Sequence, residues 1–328
     1  MKRIAMSVVI LSLTMWAGAQ TYGQGGQQSP PAMPTSQGAQ SGQTAPAGQT
    51  APAQATAPAA KRPPQAKTQP EFDAWKAADA TTRPTAEEQA SAQKNPGDTA
   101  KIMAAVADRS EKAADDFATK FPDSEVRILL YKPAMRNYHN LNNQDKTEAM
   151  GRKVLNLDAD DPEALVMVSE VIAERTHESD IDKDQRFDEA MKMAQKALQT
   201  VETDTTFNPG TPQERIDAYK ALLRSNAYSV MGAIDFKKNN FASAQTNLQK
   251  SIDAYPSEPD AVVVLQLAIA LDKQDKYPDA LKVANRAVEL TQDSTQIGKL
   301  ARNERDRLQQ LTGGAPAPAQ PQAQPPKN

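Results

Sequence analysis

The sequence contains no cysteine, only two histidines and few aromatic residues, which make up 5% of its 328 positions. The absence of cysteine excludes disulfide bonds, a thiol nucleophile, a cysteine-bound metal and a lipid-modified N-terminal cysteine. No apolar run of about 18 residues occurs beyond the N-terminus, so the sequence predicts no internal membrane span. A chain of this length can instead bury a hydrophobic core of its own.

Charge and glycine are unevenly distributed along the chain. All 41 acidic residues fall within residues 71–312, together with 32 of the 38 basic ones, and this segment has only five glycines. A composition poor in glycine and rich in Ala, Leu, Gln, Lys and acidic residues predicts a helical domain over 71–312. Its net negative charge argues against nucleic acid as a partner.

The N-terminus is typical of a secretory signal peptide over residues 1–19. Lys2 and Arg3 precede a mostly apolar stretch at 4–16, and residues 17–19 supply a small-residue cleavage pattern. We therefore expect an exported chain, periplasmic or secreted, that begins near Gln20. The alternative is that the segment stays uncleaved and anchors the protein in a membrane. This would be the only contact of the protein with a membrane.

Two low-complexity segments flank the helical domain, at residues 20–70 and 313–328. Both are rich in Gln, Pro and Ala and lack acidic residues, and a six-residue motif at 42–47 repeats at 48–53. Segments with so few large apolar side chains cannot offset the entropy of ordering, so we expect a disordered linker and a disordered tail. A Pro-rich recognition segment is the alternative to a plain tether.

Residues 226–256 combine small and bulky residues in a regular arrangement. A break at 239–240 separates two stretches with helical spacing. The defining positions are Tyr228, Met231, Gly232, Ala244, Leu248, Ser251 and Pro256. The arrangement resembles the tetratricopeptide repeat, in which small residues let two antiparallel helices pack closely, although Asp235 stands where that family favours tyrosine.

Further units of this kind follow and precede the first one. The downstream unit carries Leu267, Ala268, Tyr277, Ala280 and Ala287. Weaker matches lie upstream, and residues 117–124 are similar to bacterial cell-envelope members of the family. The resemblance, over roughly 113–292, implies an all-α fold: a right-handed α-solenoid of about four to five helical hairpins.

Local signals predict where some helices begin. Residues 211–214 form a capping-box pattern with Pro212 at the first helical position, ahead of a long helix. Ser294 is expected to cap a final, half-polar helix that covers the end of the array.

The resemblance also implies a concave groove, lined by the first helix of each hairpin, that binds a peptide or protein. The side chains expected there are Tyr131, Met135, Tyr138, Glu170, Asn226, Ser229, Lys237, Ile269 and Lys273, with His139 and Glu174 beside them. The basic clamp that some family members use for a C-terminal carboxylate is not evident.

The sequence carries few features typical of a catalytic or metal-binding site. The alternating acidic residues at 180–184 resemble a calcium loop, but Gln185 and Met191 stand where such a loop needs glycine and glutamate. A zinc site with His177 is a weaker alternative to a solvated acidic loop. No nucleophile elbow, phosphate loop or dinucleotide fingerprint occurs, so we expect no cofactor and no metal.

We therefore expect a non-enzymatic protein-interaction scaffold of the bacterial cell envelope, with no small-molecule substrate evident. One alternative is a structural protein that self-associates through the apolar stretch at 262–271. The other is a hydrolase, for which His177, Asp180 and Asp182 would have to converge in a deep pocket.

Overall fold

The computed structural model describes residues 61–207 and 210–313. These residues belong to one compact unit, Ala59–Asn328. The predicted signal peptide, nearly all of the predicted linker and all but the first residue of the predicted tail lie outside the described residues.

Twelve α-helices, joined by turns and two short 3-10 segments, account for the ordered elements of the described part. The helices are α1 Gln69–Ala80, α2 Ala86–Lys94, α3 Thr99–Lys120, α4 Ile128–Asn140, α5 Gln144–Leu157, α6 Pro162–Arg175, α7 Lys183–Thr200, α8 Gln213–Lys237, α9 Phe241–Ala254, α10 Ala261–Asp272, α11 Tyr277–Glu289 and α12 Gln296–Leu311. No strand occurs in these ranges. The prediction of an all-α protein is confirmed.

The helices form a series of hairpins in which each packs on its neighbours in the chain. The hairpins are α4/α5, α6/α7, α8/α9 and α10/α11, with α3 before them and α12 after them. Because short connections join the two helices of a hairpin, they run antiparallel. The described part is therefore an α-solenoid of helical hairpins, as predicted.

The last helix closes the array as expected, but from a different capping residue. Ala301 and Leu308 on α12 are buried in the apolar cluster that α10 and α11 share. The hydroxyl of Thr295, not that of Ser294, accepts the backbone N–H of Gly298 at 3.0 Å. Thr295 can do so because it is the residue directly before the first helical turn.

Three of the hairpins turn through the same backbone device. Asn142, Asn239 and Asp275 have φ values of 55°, 59° and 59°, in the left-handed region that Asn and Asp tolerate better than most residues. The next backbone N–H in each turn donates to the carbonyl five residues earlier, as in Asn143 to Tyr138 (3.0 Å), Asn240 to Asp235 (2.8 Å) and Lys276 to Leu271 (3.1 Å). This is the Schellman ending of a helix.

Within the hairpins, a small residue on one helix faces a large one on the other. A Cβ atom on Gly232 of α8 would lie 2.7 Å from Leu248 on α9. In the α4/α5 hairpin the sizes are exchanged, since a Cβ atom on Gly151 of α5 would lie 3.3 Å from the sulfur of Met135 on α4 and still closer to Val168. In each of the two hairpins a glycine therefore makes room for a large side chain, but the glycine is on the first helix in one hairpin and on the second helix in the other.

The other residues predicted to pack the repeats are mostly buried. Ala244, Ser251, Leu267, Ala268, Ala280 and Ala287 are buried, Tyr228, Met231 and Tyr277 are half-buried, and Pro256 is exposed where its unit ends.

Helix α8 is much longer than the other helices of the hairpins, with 25 residues. It begins at Gln213, so Pro212 is the residue before the helix rather than its first residue as predicted. Pro212 is not part of the helix because its backbone has a ψ of 140°, outside the helical range. At 1.5 Å per residue the helix is about 37 Å long, and its first half extends past the hairpin that it forms with α9.

The extended segment 61–68 packs on the solenoid. The prediction that the disordered linker continues to residue 70 is therefore wrong for these residues. The backbone N–H of Lys61 donates to the carbonyl of Thr203 at 3.1 Å, and its ammonium group contacts Asp158. Arg62 forms an ion pair with Glu125 at 2.9 Å. These contacts order the segment although its composition is that of a linker.

The apolar stretch at 262–271 is a core element rather than a self-association surface. Its residues on α10 are buried or half-buried against α9, α11 and α12. The expectation that this stretch is open for a second copy is therefore wrong, because the neighbouring hairpins already cover it. No helix in residues 61–207 or 210–313 is both long and apolar enough to cross a bilayer.

Candidate functional site

The first helices of the four hairpins, α4, α6, α8 and α10, make contacts with one another across the array. We call the surface that they share the first-helix face. The guanidinium of Arg136 on α4 contacts Glu163 on α6, and Lys237 at the end of α8 reaches the end of α6. The residues predicted to line a binding groove all lie on these helices or directly after them.

Three of the predicted groove residues are not on the open surface. Tyr131, Met135 and Tyr138 are 7%, 0% and 2% exposed. The hydroxyl of Tyr131 donates to Asp115 at 3.0 Å, and that of Tyr138 contacts two carboxylates of the same helix, α3. The prediction that they line the groove is wrong, because α3 covers both tyrosines and Met135 packs against Gly151 within its hairpin.

The other predicted groove residues keep some access to solvent. Glu170, Asn226, Ser229 and Ile269 are half-buried, while Lys237 and Lys273 are exposed. Ile269 also packs against the apolar core of the C-terminal half. The ammonium group of Lys237 donates to the carbonyl of Ala173 at 2.6 Å and to those of Glu174 and Thr176 at 3.2 Å.

Carboxylates from two elements, α6 and the residue before α10, lie near one another at the centre of this face. Glu170 Oε2 lies 3.2 Å from His139 Nε2, and Gln144 donates to Glu174 at 2.6 Å. The negative charge of Glu170 also acts on Asp260, the residue before α10. We call Glu170, Glu174 and Asp260 the acidic centre. Within residues 61–207 and 210–313, neither Glu174 nor Asp260 forms an ion pair with lysine or arginine.

The acidic centre changes the protonation of its members. Burial and the neighbouring charge of Glu170 raise the pKa of Glu174 to about 7. Burial, with a smaller effect of Glu170, also raises the pKa of Asp260 above its usual range. Burial disfavours the charge of His139, but its contact with Glu170 outweighs this and raises the pKa of His139. Burial of the two carboxyl groups, and the negative charge beside His139, therefore favour the protonated forms of all three groups.

Lys237 does not neutralise the acidic centre. Burial lowers the pKa of Lys237, and the attraction of Glu174 offsets this only in part. Its ammonium group is committed to backbone carbonyls at the end of α6, which carry partial negative charge. A cationic group from outside would therefore find carboxylates that the described part of the chain leaves without a strong counter-charge.

A second ionic cluster, beside the acidic centre, is structural. Lys132 Nζ lies 2.7 Å from Asp161 and 3.2 Å from Glu163, and Arg136 Nη2 donates to Glu163 at 2.6 Å. Burial disfavours the charge of Glu163, but the two cations outweigh it and hold its pKa well below the usual range. Tyr219, from the first half of α8, lies against Glu163, and burial raises the pKa of its hydroxyl.

Most residues of the acidic loop at 180–184 are exposed to solvent. The His177 side chain is 74% exposed, and the Asp180 carboxylate accepts the backbone N–H of His177 at 2.8 Å. Asp182 is exposed at the start of α7. In the described ranges no three His, Asp or Glu side chains are placed to hold a metal ion.

The sequence did not reveal the full membership of the acidic centre. It placed His139, Glu170 and Glu174 near the groove but missed Asp260 and Gln144. Asp260 precedes an apolar run, which is a recognisable signal for the residue that caps a helix. Its approach to Glu170 depends on how two hairpins pack, which a one-dimensional pattern does not contain.

The hairpins and their shared face define an all-helical repeat protein. No family model matches the sequence, and no curated protein matches it. Among solved structures, the chain is similar to one described as Assembly Chaperone of RpL4 (Acl4), at 13% identity and a TM-score of 0.36, over 67% of this chain and 98% of that one. The class of helical repeat proteins follows from the hairpins themselves.

Proposed function

We propose that this protein is a non-enzymatic, tetratricopeptide-like scaffold of the bacterial cell envelope, to which the N-terminal signal would export it. It binds a peptide or protein partner along the first-helix face. The observation that supports this most directly is the acidic centre, where carboxylates from α6 and the start of α10 share one surface without a lysine or arginine partner in the described part.

The partner presents a basic side chain to this surface. A cation beside Glu174 favours the ionised carboxylate and so lowers its pKa from about 7. Binding therefore releases protons, and the complex is tighter at pH 8 than at pH 6. Because packed hairpins hold these side chains in place, little scaffold entropy is lost on association.

Site-directed photo-cross-linking in the native envelope tests this function. A photoreactive amino acid at position 226, on the first-helix face, should trap a partner, whereas one at position 249, on the exposed side of α9, should not. The double substitution Glu170→Gln and Glu174→Gln should reduce the yield from position 226 at least tenfold, since each lost contact to a charge is worth roughly 1–3 kcal/mol.

The matched control is Glu289→Gln, an exposed acidic position on α11, which should leave the yield unchanged. Equal cross-linking from positions 226 and 249 would overturn the proposal, as would a yield that is indifferent to the double substitution. N-terminal sequencing of the mature protein tests export, with Gln20 as the expected first residue.

A further inference from the structure

An apolar groove lies at the N-terminal end of the array, away from the acidic centre. The extended segment 63–69 forms one wall, and aromatic and aliphatic side chains of α1, α4 and the loop after α7 form the rest. Its volume is about 760 Å³, within the usual range of pockets that take a ligand. Lys67 is the one charged residue among those that line it.

One aromatic side chain of this groove is unusually open to solvent. Phe72 is 42% exposed, although its ring lies 5.6 Å from that of Trp75 and forms a tilted pair with it. Leu129 and Phe207 contribute half-buried apolar surface to the same groove. An aromatic-lined groove with a single charged residue is the kind of surface that binds proline-rich peptides.

Trp75 adds an unsatisfied hydrogen-bond donor. Its Nε1–H group is covered and has no acceptor among the residues that the structure describes. A covered indole N–H without a partner is unfavourable, and buried tryptophans usually find one. Trp75 is thus a residue of the groove wall whose polar atom is left unpaired by the described residues.

The chain itself contains a segment with matching chemistry. Residues 314–328 hold five prolines and four alanines, no acidic or aromatic residue, and one charged side chain, Lys327. The described chain ends just before this segment, after α12, which packs on α10 and α11. The groove belongs to α1 and α4, at the other end of the series of hairpins.

We infer that the groove formed by Phe72, Trp75, Leu129 and Phe207 binds the proline-rich segment 314–328 of a second copy of this chain. Fifteen residues span at most about 50 Å when fully extended, and within one molecule the segment would have to reach from the end of α12 to the groove on α1 and α4. Between molecules no such stretch is needed. The contact joins unlike surfaces, so it is a head-to-tail association.

A peptide of residues 314–328 tests the groove. The full chain carrying Trp16→Phe leaves Trp75 as its single tryptophan, so the change in its fluorescence on titration reports binding directly. Phe72→Ala should weaken binding about tenfold or more, since it removes a large apolar contact. Leu290→Ala, which shortens a similarly exposed residue (40%) on the far side of the array, should leave the affinity unchanged.

A peptide in which alanine replaces all five prolines should not bind. Failure of the natural peptide to bind at millimolar concentration would overturn the proposal, as would equal binding of the alanine peptide or of the Phe72→Ala chain. Binding of a decaproline peptide in the absence of binding by 314–328 would point to a different occupant and also overturn it.

The association between copies is tested separately by sedimentation of the full chain. Its average mass should rise with concentration, and the same five proline-to-alanine substitutions in the chain should return it to the monomer. A full chain that stays monomeric at several hundred micromolar would overturn the proposal. The Glu170→Gln and Glu174→Gln chain should behave as the unmodified chain in both assays, so this test is independent of the partner site.

Discussion

In the α8/α9 hairpin a glycine faces a leucine, and in the α4/α5 hairpin a methionine faces a glycine. What the hairpins share is therefore the summed volume at the contact rather than the identity of either residue. Gly232 could be identified from the sequence because a glycine is conspicuous within a helix. Met135 was predicted to line the groove because nothing in the sequence shows that a methionine packs against a glycine, here Gly151.

Exchanging the large and the small residue of the α8/α9 contact tests how the hairpin packs. Gly232→Met forces a long side chain against Leu248 and should lower the free energy of unfolding by about 1–3 kcal/mol. Leu248→Gly leaves a cavity and should cost at least the roughly 2–5 kcal/mol of a leucine-to-alanine change. The double variant copies the arrangement of Met135 and Gly151, so its loss should be smaller than the sum of the two.

Denaturant unfolding followed by helical circular dichroism measures these differences. Gly97→Ala is the control, since an added Cβ atom there has no neighbour within 4 Å, and it should be close to neutral. Additive losses in the double variant would show that the two positions do not share one volume.

At the scale of elements, α8 shows what periodicity can and cannot predict. Apolar residues at helical spacing predicted one long helix, and the structure has it over Gln213–Lys237. The same pattern did not show that Tyr219 would meet Glu163, since that contact depends on the packing of α8 across α6. The break at 239–240 was visible, but the left-handed backbone of Asn239 was not.

Glu163 connects α4, α6 and α8, so its charge should matter more than that of a surface carboxylate. Glu163→Gln leaves Arg136 without its buried partner and leaves Lys132 with Asp161 alone, and it should lower the free energy of unfolding by about 3 kcal/mol. We expect the lower end of the usual range because the Arg136 side chain, 43% exposed, can turn to water. Urea unfolding at pH 7 measures the loss.

Asp116→Asn provides the comparison, because Asp116 pairs with Lys112 on the open surface of α3. Surface pairs of this kind contribute about 0–1 kcal/mol, so this variant should be nearly neutral. Equal effects of the two substitutions would show that the Glu163 cluster does not stabilise the contact of α8 with α6.

For the whole molecule, the sequence predicted the class of fold because that class depends on local signals: small residues, helix breaks and capping residues. It did not predict the docking of 61–68 or the assembly of the acidic centre. Lys61 meets Thr203, and Asp260 approaches Glu170, only after many residues have folded between them. Such contacts depend on how successive hairpins are oriented, which no short motif records.

The acidic centre should make the stability of the whole molecule depend on pH. The folded-state pKa values of Glu174, Asp260 and His139 are all raised, so the folded chain holds these protons more strongly than the unfolded chain. For Glu174 this stabilisation is complete below about pH 4.5 and is lost as the pH rises to about 7. The free energy of unfolding should therefore be about 1–3 kcal/mol higher at pH 5.5 than at pH 8.

Chemical denaturation across this range measures the effect, and Glu174→Gln should flatten the profile. The lowered pKa of Glu163 acts in the opposite sense, but its stabilisation is lost only below about pH 4.5, outside this window. A stability that increases from pH 5.5 to pH 8 would contradict the assignment of raised pKa values to this cluster.

The contacts of Lys61 with Thr203 and Asp158 have a consequence for the order of folding. Hairpins built from neighbouring helices can form from local contacts alone, but the segment at Lys61 can pack only after residues 158 and 203 have reached their folded positions. The N-terminal end of the array is thus among the last parts to fold, and its packing marks the completion of the N-terminal half.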